Sequence, residues 1–113
     1  MSALFIAQVT QLIDPEKLNE YSSKAGPTVE KHNGEIIFRG VTKKMVAGEN
    51  PVQAVAIMQF DSIEEAEAWY FSDDYQALIP IRNAAIEVNI TLIEGQNTSE
   101  MIAQSLDSDK PSN

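Results

Sequence analysis

The sequence predicts an α+β fold, with four strands and two main helices in the order β-α-β-β-α-β. Four stretches alternate at period two and are rich in β-branched and aromatic residues, the mark of strands. Between the first and second, and again between the third and fourth, apolar residues recur at helical spacing behind a capping residue. The chain has 113 residues, which suits one domain.

Residues Ala3 to Ile13 form the first expected strand. Asp14-Pro15-Glu16 opens a helix: Asp14 can cap it, Pro15 suits its first position, and Glu16 suits the positive end of its dipole. Leu18, Tyr21, Ala25, Val29 and His32 then share one helix face. Gly26-Pro27 is expected to kink or split that helix, and Asn33-Gly34 to end it with a positive φ. Glu35 to Met45 reads as the second strand, with a bulge or bend at Gly40. Ala47 to Pro51 is a turn, and Val52 to Phe60 the third strand. Ser62-Ile63-Glu64-Glu65 is a capping box before a second helix whose buried face carries Ala66, Trp69 and Tyr70. Ser72 re-caps a short helix carrying Tyr75, Leu78, Ile79 and Arg82, which Pro80 is expected to interrupt. Ile86 to Glu94 alternates cleanly as the fourth strand. Residues 1–95 make the domain, and 96–113 a polar tail in which "SEMIAQSL" has helical character.

This order is the ferredoxin-like split motif, a four-stranded antiparallel sheet with both helices on one face. The other face then raises a problem. Leu4 and Ile6 oppose Phe5, Ala7 and Val9 on the first strand, and Val55 and Ile57 oppose Ala54, Ala56 and Met58 on the third. An apolar face that no helix covers marks an interface, and pairing two sheets in a homodimer covers it.

The bulk composition excludes several classes. Eight basic residues against 17 acidic ones leave a net charge of −9, which repels nucleic acid and anionic membranes. The chain has no cysteine, so disulfide, thiolate and cysteine-zinc chemistry are absent. "MSALFIAQVT" lacks a basic n-region and a cleavage site, and no apolar run suits a membrane helix. A cytoplasmic protein is expected, without nucleic-acid or membrane partners. No phosphate loop, nucleophile elbow or zinc motif is present, so no metal or cofactor is expected.

"LFIAQVTQLIDPEKLNEYSSKAGPTVEKHNGEIIFRG", then "VAIMQFDSIEEAEAWYFSDDYQALIPIRNAA" and the closing "LIEG" resemble a small bacterial family. It is the domain of unknown function 1330 family, within the dimeric α+β barrel superfamily. The resemblance spans roughly Ala3 to Gly95. It is most specific at Asp14-Pro15, at Gly34 with Arg39-Gly40, and at Trp69-Tyr70, Ser72, Tyr75-Gln76 and Arg82. Val41 stands where the family usually has a second glycine, and Asn50 where it often has an aromatic before the proline. Both departures lie on the Gly40–Pro51 loop, where they can alter ligand preference. The resemblance implies a barrel-like dimer and no agreed activity. The wider superfamily includes cofactor-free monooxygenases, lactone isomerases and heme-handling proteins, an analogy of fold alone.

The chemistry-bearing residues each have two readings. His32 can act as a general acid or base, or as a cation at a helix C-terminus. Arg39, among apolar strand neighbours on the side of Ile37 and Val41, can hold a substrate carboxylate or pair with an acid such as Glu87. Trp69, Tyr70 and Tyr75 can wall a cavity, with Tyr75 offering a catalytic hydroxyl, or can pack the core. Arg82 can anchor an anion or clamp Asp73, Asp74 or a helix end. The acids Asp61, Glu64, Glu65, Glu67, Asp73 and Asp74 read as a solvated face rather than a metal site. The resulting expectation is a homodimer that binds a small organic molecule, anions included, between sheet and helices. The alternatives are a cofactor-independent enzyme of monooxygenase or isomerase type, and a non-catalytic accessory dimer. A cluster of His32, Arg39 and Tyr75 in one pocket would favour the enzyme.

Overall fold

The structure, a computed structural model, describes residues 2–96. The elements run β1 (Ser2–Leu12), α1 (Pro15–Lys31), β2 (Glu35–Val41), β3 (Ala54–Phe60), α2 (Ile63–Tyr70), α3 (Asp73–Gln76), α4 (Ile79–Ala85) and β4 (Ile86–Gly95). The four strands form one antiparallel sheet in the order β2-β3-β1-β4, the ferredoxin-like topology. Beyond Gln96 the expected tail, with its helical turn at residues 99–106, lies outside the described residues.

Caps set the helix boundaries. The Asp14 side chain accepts from the backbone N–H groups of Glu16 and Lys17 at the start of α1. At its other end Asn33 takes φ 64°, while Gly34 N–H and Asn33 N–H return to the carbonyls of Val29 and Glu30. This is a Schellman closure, with Asn33 in the left-handed position. Gly34 is needed for space: a Cβ there would meet the Phe60 ring at 2.4 Å and Val29 Cγ1 at 2.8 Å. Ser62 caps α2 through the Glu65 N–H, but no return bond from the Glu65 side chain completes the box.

Four expectations need correction. Pro27 does not split α1, which runs unbroken through it. Ala25 and Val29, on either side of the proline, are both buried, so packing of that face outweighs the missing donor. Pro80 does not interrupt a helix; it stands in the first turn of α4, where its absent N–H costs little. Gly40 pairs regularly with Val55, and the irregularity in β2 falls instead between Ile36 and Phe38. The extra residue, Ile37, shifts the alternation, so Arg39 faces with Ile36 and Val41 rather than with Ile37.

Register assigns the two faces. Opposed residues share a face, so Ala3, Phe5, Ala7 and Val9 align with Phe60, Met58, Ala56 and Ala54, and on the other flank Phe5, Ala7 and Val9 align with Leu92, Ile90 and Val88. The helices cover this face, and the core of Phe5, Met58, Phe60, Val29, Trp69 and Tyr75 lies between. The opposite face carries Leu4, Ile6, Val55, Ile57, Phe38 and Ile93. Phe38 is 56% exposed and Ile93 42%. Among the described residues no helix is long and apolar enough to cross a membrane.

Candidate functional site

The helix layer brings three tyrosines and an arginine together. Ser72 caps α3 by accepting from Tyr75 N–H and donates its own proton to the Trp69 carbonyl. That double tie drives the Tyr75 ring into the core, where it is fully buried. One turn into α4, Arg82 reaches back over it. Arg82 Nη1 donates to Tyr70 Oη at 3.0 Å and to Tyr75 Oη at 3.1 Å, and Nε donates to Asn83 Oδ1 at 3.3 Å. From α1, Tyr21 Oη lies 2.7 Å from Tyr75 Oη. The rings support one another: Tyr70 stacks on Phe5 and Tyr75 tilts against Trp69 at 4.4 Å between centroids. Trp69 Nε1 donates to Thr28 Oγ1 at 2.9 Å.

Electrostatics fix the protonation of this group. Burial raises the Tyr21 pKa well above the ordinary tyrosine value. Tyr21 is therefore a neutral donor at any physiological pH. Burial works against the Arg82 charge, but the hydrogen bonds to Tyr70 and Tyr75 outweigh it and the pKa rises. Arg82 stays a cation.

Beside this cluster a cavity of about 350 Å³ opens between the sheet and α1. Its origin is local. Ala7, Ala54 and Ala56 on the strands and Ala25-Gly26 on α1 have side chains too short to fill the space between the layers. Leu18, Val29, Met58, Val88 and Ile90 complete an apolar wall. Among the described residues the polar side chains of the lining are Tyr21, Ser22, Arg39 and Arg82, with no aspartate or glutamate. These are the only two arginines in the chain. Arg39 lies on β2 and is exposed at the rim, brought to this face by the irregularity at Ile37.

The six residues singled out from the sequence divide into separate groups. Arg39, Trp69 and Arg82 line the cavity; Tyr70 and Tyr75 stand behind Arg82 and hold it. Trp69 is both wall and core, being 2% exposed. His32 lies apart at the end of α1. Its Nε2 is buried, 3.6 Å from Asp74 Oδ1, without a hydrogen-bond partner among the described residues. Asp74 also pairs with Lys31 at 3.2 Å. His32, Arg39 and Tyr75 do not share one pocket. Arg39 has no ion pair among the described residues, and Glu87 sits on β4 at the opposite edge of the sheet. Arg82 clamps no acid among the described residues. Among the described residues no group of three or more metal-type side chains forms. Tyr21 was legible only as a member of the buried helix face. A hydroxyl at such a position needs a partner, and that was the available signal.

Comparison with known proteins bears on fold and family. A protein of unknown function from Rhodopseudomonas palustris superposes with a TM-score of 0.70 at 17% identity, covering 85% of this chain and 83% of that one. A dimeric ferredoxin-like protein of unknown function from Jannaschia sp. CCS1 gives 0.69 at 9% identity, over 84% and 100%. SnoaB, a cofactor-independent oxygenase from Streptomyces nogalater, gives 0.63 at 9% identity, over 86% and 95%. At these identities the likeness is one of fold. No curated protein sequence matches the chain. The model of a domain of unknown function, DUF1330, matches residues 2–96, and the chain belongs to that family.

Proposed function

We propose that this protein is a homodimer that binds a small organic molecule in the cavity between its sheet and α1. The observation that carries this reading is the cavity itself. It has about 350 Å³ of space, apolar walls and a few convergent polar groups, the size and make-up of a small-ligand site.

A thermal-shift screen of the purified protein against organic metabolites tests it. A ligand at about 100 times its dissociation constant adds roughly 2.7 kcal/mol. For a domain of this length that is a rise of about 10 °C or more. The rise should vanish in Ala56→Phe, which fills the cavity from the sheet side. A hit unaffected by that substitution would place binding elsewhere and overturn the reading.

The homodimer is supported by the apolar sheet face of Leu4, Ile6, Val55 and Ile57 and by the dimeric relative of the same fold. A cofactor-independent enzyme is the second reading, and the hydroxyl chain from Arg82 through Tyr75 to Tyr21 is the observation in its favour. Such chemistry needs a base, however. Tyr21 holds its proton too firmly, and His32 lies outside the cavity. Binding therefore ranks ahead of proton transfer.

A further inference from the structure

We propose that the ligand is a monocarboxylic acid with a compact apolar body, and that its carboxylate is held by Arg82 Nη2 and Tyr21 Oη. The inference rests on the cavity reading above and adds the chemical class.

It follows from counting protons. A guanidinium has five N–H donors. Arg82 directs Nε to Asn83 and both Nη1 protons to Tyr70 and Tyr75. The two Nη2 donors have no acceptor among the described residues, and Arg82 borders the cavity. Tyr75 Oη accepts from Arg82, so its own single proton must go elsewhere. Tyr75 is fully buried, and its only other described hydrogen-bond partner is Tyr21 Oη. Tyr75 therefore donates to Tyr21. Tyr21 then has its proton free, and Tyr21 also borders the cavity. The chain of bonds runs in one direction, from the Arg82 charge through two hydroxyls, and leaves a second free donor on a residue that lines the same cavity.

Two donors on one cavity, neither with an acceptor among the described residues, call for a group that only accepts. A carboxylate does so with two oxygens, and hydrogen bonds to charged groups are the strong ones. The remaining wall is apolar, which suits a hydrocarbon or aromatic body rather than a polyol. The sign of the field agrees. The chain carries −9 overall, yet its only two arginines both line this cavity and no acid among the described residues does. Arg39, exposed at the rim on β2, supplies positive potential along the entry.

The test uses matched pairs: benzoate with benzamide, and phenylacetate with phenylacetamide. Binding is followed by calorimetry and by fluorescence of Trp69, the only tryptophan and a wall of the cavity. The acids should bind at least about tenfold more tightly than their amides, since one hydrogen bond to a charge is commonly worth tenfold or more. Tyr21→Phe, which keeps the ring, should weaken the acids about tenfold and bring acid and amide closer together. Arg82→Lys should abolish the preference; if the variants are unstable, the acid–amide comparison on the parent protein still decides the carboxylate assignment. Equal binding of acid and amide would overturn the carboxylate assignment while leaving the cavity reading intact. A preference unchanged in Tyr21→Phe would overturn the role given to Tyr21. No response to either member of any pair would overturn both readings.

Discussion

Replacing Tyr75 by phenylalanine deletes one oxygen atom and breaks the middle of the Arg82–Tyr75–Tyr21 chain. The ring is fully buried, so packing against Trp69 and Tyr70 is retained and the loss is one of hydrogen bonding. Two bonds disappear, one from a charged donor at 3.1 Å and one between hydroxyls at 2.7 Å. Bonds to charged groups contribute about 1.5–3 kcal/mol and neutral ones about 0.5–1.5 kcal/mol. The lower ends apply, because Arg82 is only partly buried and water can reach the freed N–H. The expected cost is about 2 kcal/mol, or roughly 10 °C in Tm for a domain of this length. Tyr70→Phe removes a single bond, also from Arg82, at a partly exposed ring and should cost less, about 1.5 kcal/mol. A double-mutant cycle of Tyr75→Phe with Tyr21→Phe, read by urea denaturation, should show coupling of about 0.5 kcal/mol or more. A Tyr75→Phe loss no larger than that of Tyr70→Phe, with no coupling to Tyr21, would refute the picture of a continuous network.

Gly34→Ala should lose about 1–3 kcal/mol in urea denaturation, because its Cβ would overlap the buried Phe60 ring and Val29. Adding Phe60→Leu should cost Gly34→Ala less than it costs the parent chain; a Gly34→Ala variant of unchanged stability would mean that the close approach is not there. Thr28→Val keeps the shape of the side chain but leaves the buried Trp69 Nε1–H without its acceptor at 2.9 Å. It should cost about 1–3 kcal/mol, checked by the same denaturation curve. Ile57→Asp, on the face that no helix covers, should yield a monomer by light scattering, and a persisting dimer would place the interface elsewhere.

The sequence was most informative where one local rule decides the outcome. Asp14-Pro15 opens α1, Ser62 and Ser72 cap α2 and α3, and the alternation of Ile86, Val88, Ile90 and Leu92 sets the inner face of β4. Local rules failed where a distant packing surface overrides them. Pro27 reads as a helix break in isolation, but Ala25 and Val29 on either side of it pack against the sheet, and that contact is invisible in a window of ten residues. Arg39 fails for a related reason. Its face depends on a one-residue insertion at Ile37 that only strand pairing with β3 reveals. The candidate site shows the same division. Trp69, Tyr70, Tyr75 and Arg82 stand out as residue types within one short stretch, and three of them turn out to be bonded to, or lined up with, the fourth. Tyr21, more than 50 residues away in the chain, belongs to the cluster only because α1 crosses the sheet beside α3 and α4. What decides its part is the direction of its proton. That direction follows from the burial of Tyr75 and the charge on Arg82, and it makes Tyr21→Phe the substitution that separates a binding donor from a packing ring.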